Sequence, residues 1–330
     1  MDFEIRSVPP ALIDAADETF RISSGQADDA LTRSIQSVGL LHPPVLLAKG
    51  ERWVVVCGFA RVEVCRRLAW REMPARCLPA ESAFADCALM AVADNSSQRS
   101  LDIVETAKAL KLLEHAAGVE CAPDGGARLL KSAGIEAGPQ LLKKLRPVPR
   151  MAPWLQGCLA KGTIPLPMAL RLHDLDDAAA ARILGDLFEN LVLSLGRQRD
   201  LLDWVQAIAM REGMLLAQVL ADPQLVQWRQ DAEMDRGRKS QLIRDHIRRR
   251  RFPAITAFET RYAQTVKALQ PANGLQLLPP AHFEGRTYRL QIDFQSADQL
   301  RELAREVERL AAAPPLRRLL EDLSVDQSPS

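Results

Sequence analysis

RWVVVCGFARVEVCRRLAW, residues 52–70, decides how the first part of the chain folds. Trp53 to Cys57 is a β-branched run of strand length, Gly58 follows at once, and Val62, Cys65 and Leu68 then recur at helical spacing. A strand therefore turns through a glycine into a helix. The first N–H groups of such a helix have no partner within it and favour an anion. Gly58 leaves room for a phosphate beside the main chain, and Arg61, one turn in, carries a planar fork that suits the same oxygens. A plain strand-to-helix connection has this signature too, and it is the commoner use of it.

Two flanking stretches extend the pattern: LTRSIQSVGLLHPPVLL at 31–47 and ADNSSQRSLDIVETA at 93–107. In order, the three resemble the N-terminal domain of ParB-type partition proteins. That family has an S-I-x-x-x-G-(I/L)-x-x-P segment, a strand ending in G-E-R-R, and an E-N-x-x-R segment about a helix later. The first segment is Ser34, Ile35, Gly39, Leu40 and Pro43; the second is Gly58-Phe59-Ala60-Arg61, which keeps the glycine and the last arginine. The third, Asp94-Asn95-Ser96-Ser97-Gln98-Arg99, keeps the acid-amide pair and puts Gln98, or Arg99 after a one-residue slip, at the family's arginine.

The resemblance implies a ParB/sulfiredoxin-like α+β domain that binds cytidine triphosphate (CTP) and Mg2+. Gly39 and Pro43 would lie near the base, Gly58 and Arg61 at the phosphates with Arg99, and Asp94 and Asn95 at the metal or the phosphate shell. An acid and an amide oxygen are suitable hard ligands for magnesium, which leans on nucleotide phosphates. The alternative for Asp94-Asn95 is a helix C-terminus and the cap of the next helix. Sulfiredoxins of the same superfamily carry a cysteine directly after the motif glycine. Here Phe59 holds that place and Cys57 precedes the glycine, which argues against redox chemistry.

At 330 residues the chain exceeds one ordinary core, and 47% hydrophobic residues exclude wholesale disorder. A net charge of +1 exerts no global pull on nucleic acid, so any DNA contact must be local. The N-terminus has no basic-then-apolar signal pattern and no apolar run reaches bilayer length, so no membrane is expected and the location reads as cytoplasmic, nucleoid-associated by resemblance. The six cysteines form no C-x-x-C pair and read as buried reduced thiols; the five histidines are scattered without an H-x-x-x-H pair.

Within residues 1–117, strands are expected at 3–8, 45–47 and 74–78. Helices are expected at 32–38, at 82–93 with Phe84, Cys87 and Ala91 inward, and at 103–117, with Lys49-Gly50 as a hairpin turn. Residues 118–235 read as an all-helical domain. After a turn-rich break at 121–126, a short helix, an Ala133-Gly134 turn and a second helix, 139–146, give a helix-turn-helix pattern near 127–146, with Leu141, Leu142 and Leu145 inside. An ordinary helical hairpin fits the same residues. The position after the third motif is the family's, and Lys131, Gln140, Lys143, Lys144 and Arg146 are then the DNA-contacting candidates. Apolar stripes at 183–191 and 201–208 add helices, and Pro223 is expected to close a short one at 214–220.

Residues 236–252 turn basic, with Arg248, Arg249, Arg250 and Arg251 in succession. A solvated linker helix and a nucleic-acid contact are both compatible with that run. Residues 253–323 read as a small ββα domain: a helix at 257–269, a strand at 275–278, and a strictly alternating strand carrying Tyr288, Leu290, Ile292 and Phe294. Ser296 with Gln299 then caps a helix whose Leu300, Leu303, Val307 and Leu310 form a seam in want of a partner. This tail resembles the family's C-terminal dimerisation domain, and residues 324–330 read as disordered.

The whole implies a homodimeric ParB-like DNA-binding protein, a CTP-regulated DNA clamp in chromosome or plasmid partition with weak CTPase activity and a ParA-like ATPase as partner. The alternative is a DNA-binding transcriptional regulator or adaptor whose nucleotide site is degenerate, as Phe59 and Ala60 suggest. A third reading, an enzyme acting on a phosphorylated substrate or a nuclease, rests on Asp94.

Overall fold

A computed structural model describes residues 3–25, 28–118, 125–280 and 287–321. The chain falls into two compact units, Met1–Arg199 and Asp200–Ser330. The fold is mixed and rich in helix, with one small sheet in each unit.

The first unit opens with β1 (Glu4–Val8), α1 (Asp29–Val38), β2 (Val45–Lys49), β3 (Arg52–Cys57), α2 (Phe59–Arg67), β4 (Met73–Leu78), α3 (Phe84–Gln98) and α4 (Ile103–Ala117). Its four-stranded sheet has the order β1-β4-β2-β3. β2 runs antiparallel to β3 through the turn at Gly50 and parallel to β4, while β1 closes the other edge antiparallel to β4. One face buries Leu46, Val55, Met73 and Ala75 against Val62 and Cys65 of α2. The larger ones, Leu46, Val55, Val62 and Met73, each contribute about 1.5–3 kcal/mol relative to exposure. α1 docks on α2 through Ile35 and Val64. It starts earlier than its apolar spacing predicts because the Asp28 carboxylate accepts the N–H of Leu31, and Gly39 at φ 77° stops it.

α3 runs through Asp94 and Asn95 to Gln98, so these two residues neither end one helix nor cap the next. That cap is Asp102, whose carboxylate accepts the N–H groups of Val104 and Glu105. Phe84, expected inward, is 37% exposed at the start of α3, its ring 5.2 Å from that of Phe20 and tilted to it by 38°. α4 is the apolar axis of the unit, burying Val104, Ala107, Leu110 and Leu113 against its neighbours.

The helices α5 (Gly125–Ser132), α6 (Pro139–Leu145), α7 (Pro153–Lys161), α8 (Leu166–His173) and α9 (Ala178–Leu191) follow, and α10 (Leu195–Glu212) begins in this unit and has most of its residues in the second. Gly125 and Gly126, taken from the sequence as part of a break, are the first turn of α5. A Cβ on Gly126 would meet Oε1 of Glu114 at 2.8 Å and Cδ1 of Leu110 at 2.9 Å, so the glycine allows α5 to lie close against α4. α6 buries Leu142 and Leu145 while Leu141 is only half-buried.

The second unit holds α11 (Leu216–Leu220), α12 (Pro223–Gln230), α13 (Arg236–Arg251), α14 (Pro253–Leu269), β5 (Leu275–Leu278), β6 (Arg289–Ile292), α15 (Ala297–Ala312) and α16 (Pro314–Glu321). Pro223 does not close α11, which ends at Leu220; it opens α12, where its missing N–H costs nothing. The basic segment is one continuous helix, α13, that buries Ser240, Ile243 and Ile247. β5 and β6 pair antiparallel, Leu275 opposite Ile292 and Leu277 opposite Leu290. Their shared apolar face packs on Leu303 and Leu310 of α15 only in part: Leu275 is buried, whereas Leu290 is 38% and Phe294 50% exposed. Expectations for Cys121 and for 324–330 lie outside the described residues.

Candidate functional site

Three separated segments of the first unit meet at one cleft of about 580 Å³. The end of α1 and the loop after it contribute Ser34, Gly39, Leu41, His42 and Pro43; the β3–α2 corner contributes Cys57 and Arg61; α3 contributes Asp94 and Gln98. Gly58 sits in the corner at φ 89°, a left-handed backbone that a side chain would strain, and an added Cβ would meet Cβ of Pro44 at 3.1 Å. The glycine thus fixes both the turn into α2 and the close approach of the Pro43-Pro44 loop. The first N–H groups of α2 follow it directly.

Arg61 ties the segments together. Its Nη1 donates to the carbonyl of His42 at 2.8 Å and its Nη2 lies 3.6 Å from Oδ2 of Asp94. The other carboxylate oxygen, Oδ1, accepts from Nε2 of Gln98 at 3.0 Å. Among the described residues that line the cleft, Asp94 is the only carboxylate. Arg76 of β4 is a second cation there, its guanidinium resting on the ring of Phe3 at 3.8 Å. The sequence reading missed it, although a cation at the middle of the otherwise apolar run MPARCL was a signal. Cys57 contributes no nucleophile. Burial and the nearby Asp94 push its thiol up to about 12 despite Arg61 and Arg76, so it stays protonated near neutral pH.

Two residues expected at the site stand elsewhere. Arg99 leaves the cleft and makes a fork on Glu105, Nη1 to Oε2 at 2.5 Å and Nη2 to Oε1 at 2.7 Å. Gln98, the other alignment of the motif, is the one that faces the cleft. Asn95 turns its amide back to the carbonyl of Ala91 at 2.9 Å, which leaves Asp94 alone of the acid-amide pair. Among the described residues no group of three or more His, Cys, Asp or Glu side chains is arranged to hold a metal ion by itself. A magnesium ion here would have one protein carboxylate and would depend on phosphate oxygens for the rest, which matches its habit of keeping waters and leaning on nucleotides.

The basic candidates divide just as sharply. Lys131, Gln140, Lys143 and Lys144 are exposed on α5 and α6. Arg146, expected outward with them, turns inward and pairs with the nearly buried Glu114 of α4 at 2.8 Å. In α13, Arg248 forms a fork on Glu259 at 2.8 and 3.1 Å, and Arg250 pairs with Glu212 at 2.5 Å and Asp222 at 3.5 Å. Arg211 donates to the carbonyls of Arg250 and Arg251 at 2.6 and 3.1 Å, capping the helix end where cations are favoured. Arg249 stays exposed, and Arg251 lies on the ring of Phe252 at 4.8 Å. No described helix is long and apolar enough to cross a membrane.

No protein-family model matches the chain, and no curated protein matches its sequence. Solved structures are similar at low identity. One is a crystal structure of the C-terminally truncated chromosome-partitioning protein ParB from Caulobacter crescentus complexed with CTP-gamma-S, 17% identical with a TM-score of 0.26 over 54% of this chain and 97% of that one. The same Caulobacter crescentus protein complexed to the centromeric parS site is 16% identical, with a TM-score of 0.27 over 59% of this chain and 96% of that one. A Pnob8-like ParB-N domain is 17% identical, with a TM-score of 0.38 over 61% of this chain and 97% of that one.

Proposed function

We propose that this chain is a ParB-like DNA-binding protein whose first unit binds a nucleotide in the cleft between α1, α2 and α3, with CTP and Mg2+ as the ligands its three motifs imply. One observation carries the reading: Gly39 and Pro43, Cys57 and Arg61, and Asp94 and Gln98, far apart in sequence, line one cavity. Arg61, Arg76 and the start of α2 suit phosphate oxygens, and Asp94 suits a magnesium ion held largely by those phosphates. The exposed lysines of α5 and α6 serve DNA phosphates, which strengthen binding without reading bases. The half-covered face of β6 and α15 serves a homodimer. In this reading the nucleotide regulates closure of a clamp on DNA.

A specific observation also favours the adaptor reading. Arg61 already has protein partners in the His42 carbonyl and Asp94, and Ala60 replaces the arginine that the family motif carries. Calorimetric titration with CTP and Mg2+, with ATP and GTP as controls, separates the two on the wild type and Arg61→Ala. Selective binding of CTP that the substitution abolishes supports the nucleotide site. A wild type that binds no nucleotide, yet still retains DNA in low salt, leaves the adaptor.

A further inference from the structure

β1 is an edge strand, paired with β4 on one side only. Natural proteins guard such edges with like charges, bulges or cover, because an open row of N–H and C=O groups recruits another strand. Four of the five residues of β1, Glu4 to Ser7, are exposed, and Ile5 is 73% exposed. The charges flanking Ile5 have opposite sign. Glu4 and Arg6 share one face and pair with each other at 2.5 Å.

Acid, apolar, base is a pattern that complements itself when reversed. If two copies of β1 lie antiparallel about Ile5, Glu4 of each meets Arg6 of the other and the two Ile5 side chains are directly opposite. A two-fold axis through Ile5 makes both ion pairs at once, as an isologous contact requires. A guarded edge would place like charges opposite each other in that register; this one places opposite charges. We propose that the free edge of β1 is a docking strand for β1 of a second copy of this chain, joining two four-stranded sheets into one. Pro9, which has no N–H to donate, ends the pairing after Val8 and keeps the contact short. The contact is therefore weak alone and best captured by cross-linking.

The test uses full-length Ile5→Cys with a short bis-maleimide, and Glu51→Cys in the exposed β2–β3 turn as the control for random collision. Directly opposed residues put Cβ atoms within about 5.5 Å, well inside the reach of the reagent. The expected result is about tenfold more covalent dimer for Ile5→Cys than for Glu51→Cys at equal concentration, since only the former is held in register. Adding Glu4→Arg or Arg6→Glu sets like charges opposite twice and should bring the yield down to the control. Combining both reversals recreates the complementary pattern and should restore it. Thermal melts by circular dichroism establish that each variant is folded. The proposal is overturned by a yield equal to the control, by single reversals that leave the yield unchanged, or by a double reversal that fails to recover it.

Discussion

Arg61 and Asp94 face each other at 3.6 Å across the cleft, one on the first turn of α2 and the other near the end of α3. If the cleft takes a nucleotide as proposed, its phosphate oxygens would compete with Asp94 for the Arg61 guanidinium. Asp94 should therefore act in opposite directions with and without magnesium. In the absence of the metal, Asp94→Asn frees Arg61 and removes a repulsive charge, so CTP should bind about fivefold tighter, equivalent to the ~1 kcal/mol of a partly exposed pair. With magnesium present the same substitution removes the ion's one carboxylate and should weaken binding. Titration calorimetry in EDTA and in Mg2+ reads both signs; an equal effect in the two conditions would assign Asp94 a purely structural role.

Arg99 is expected to matter for stability and not for the cleft. Glu105 is nearly buried and accepts the N–H groups of Asp102 and Ser24 besides the Arg99 fork. Burial alone would raise its carboxyl, but Arg99 and those N–H groups hold it below its ordinary value. Arg99→Ala strands the carboxylate and should cost about 2 kcal/mol in urea unfolding, below the 3–5 kcal/mol of a fully buried pair because the arginine is half exposed. Its sign with pH follows: the stability from Glu105 is complete above the unfolded value near 4.3 and is lost as pH falls through the lower folded value. Arg99→Ala should flatten that acid limb while leaving nucleotide titrations unchanged.

These two residues also mark how far the sequence could be read. The strand, glycine and helix at 52–70 were legible because β-branched alternation, Gly58 and three-residue spacing agree with one another. The convergence of the motifs was legible only through resemblance, since no local pattern reports that Pro44 lies against Gly58. Gln98 is the last residue of α3 and Arg99 already has extended backbone at φ -161°, so one position separates a side chain on the helix from one that leaves it, and the sequence cannot rank them until Glu105 is seen to claim the arginine. The basic run of α13 was legible as charge but not as internal pairing, because its acids, Glu212, Asp222 and Glu259, come from other helices.

DNA affinity should separate the exposed lysines from the paired arginines. Lys143→Ala and Lys144→Ala remove charges that have no acid within the helix, and each should reduce the slope of log affinity against log salt by about 1. Arg248→Ala breaks the fork on Glu259 and should lower thermal stability with the salt slope unchanged. Fluorescence anisotropy across a salt series, alongside a melt, distinguishes the classes; an equal loss of slope in all three variants would overturn the division.

Glu212 gives the second unit its own acid sensitivity. Arg250 first, then Arg211, hold its carboxyl down to about 2. The stability from this depressed group is present above the unfolded value near 4.3 and disappears only as pH falls through about 2. Glu212→Gln should cost roughly 1 kcal/mol at neutral pH, as a partly exposed network does, and its difference from the wild type should vanish at the acid end. Melting curves from pH 7 down to 2 test the convergence.

Leu290 and Phe294 carry the last prediction. Alternation along β6 puts Leu290 on the face of Ile292, which packs with Leu275 on Leu303 and Leu310 of α15, and Phe294 follows two residues past the strand's end. That helix covers the middle of the face and leaves Leu290 and Phe294 uncovered at 38% and 50% exposure. The buried residues of this cluster are four leucines, Leu269, Leu275, Leu303 and Leu310, a small core that a second copy seated on the same face would enlarge. Leu290→Glu places a charge where that copy would sit, at the rim of the face opposite Leu277 and clear of the buried leucines. Light scattering should then report a monomer in place of a dimer, with the helical circular dichroism retained. A dimer that survives Leu290→Glu at micromolar concentration would show that the second copy is held elsewhere, and cross-linking through Ile5→Cys would then become the direct way to ask whether β1 holds it.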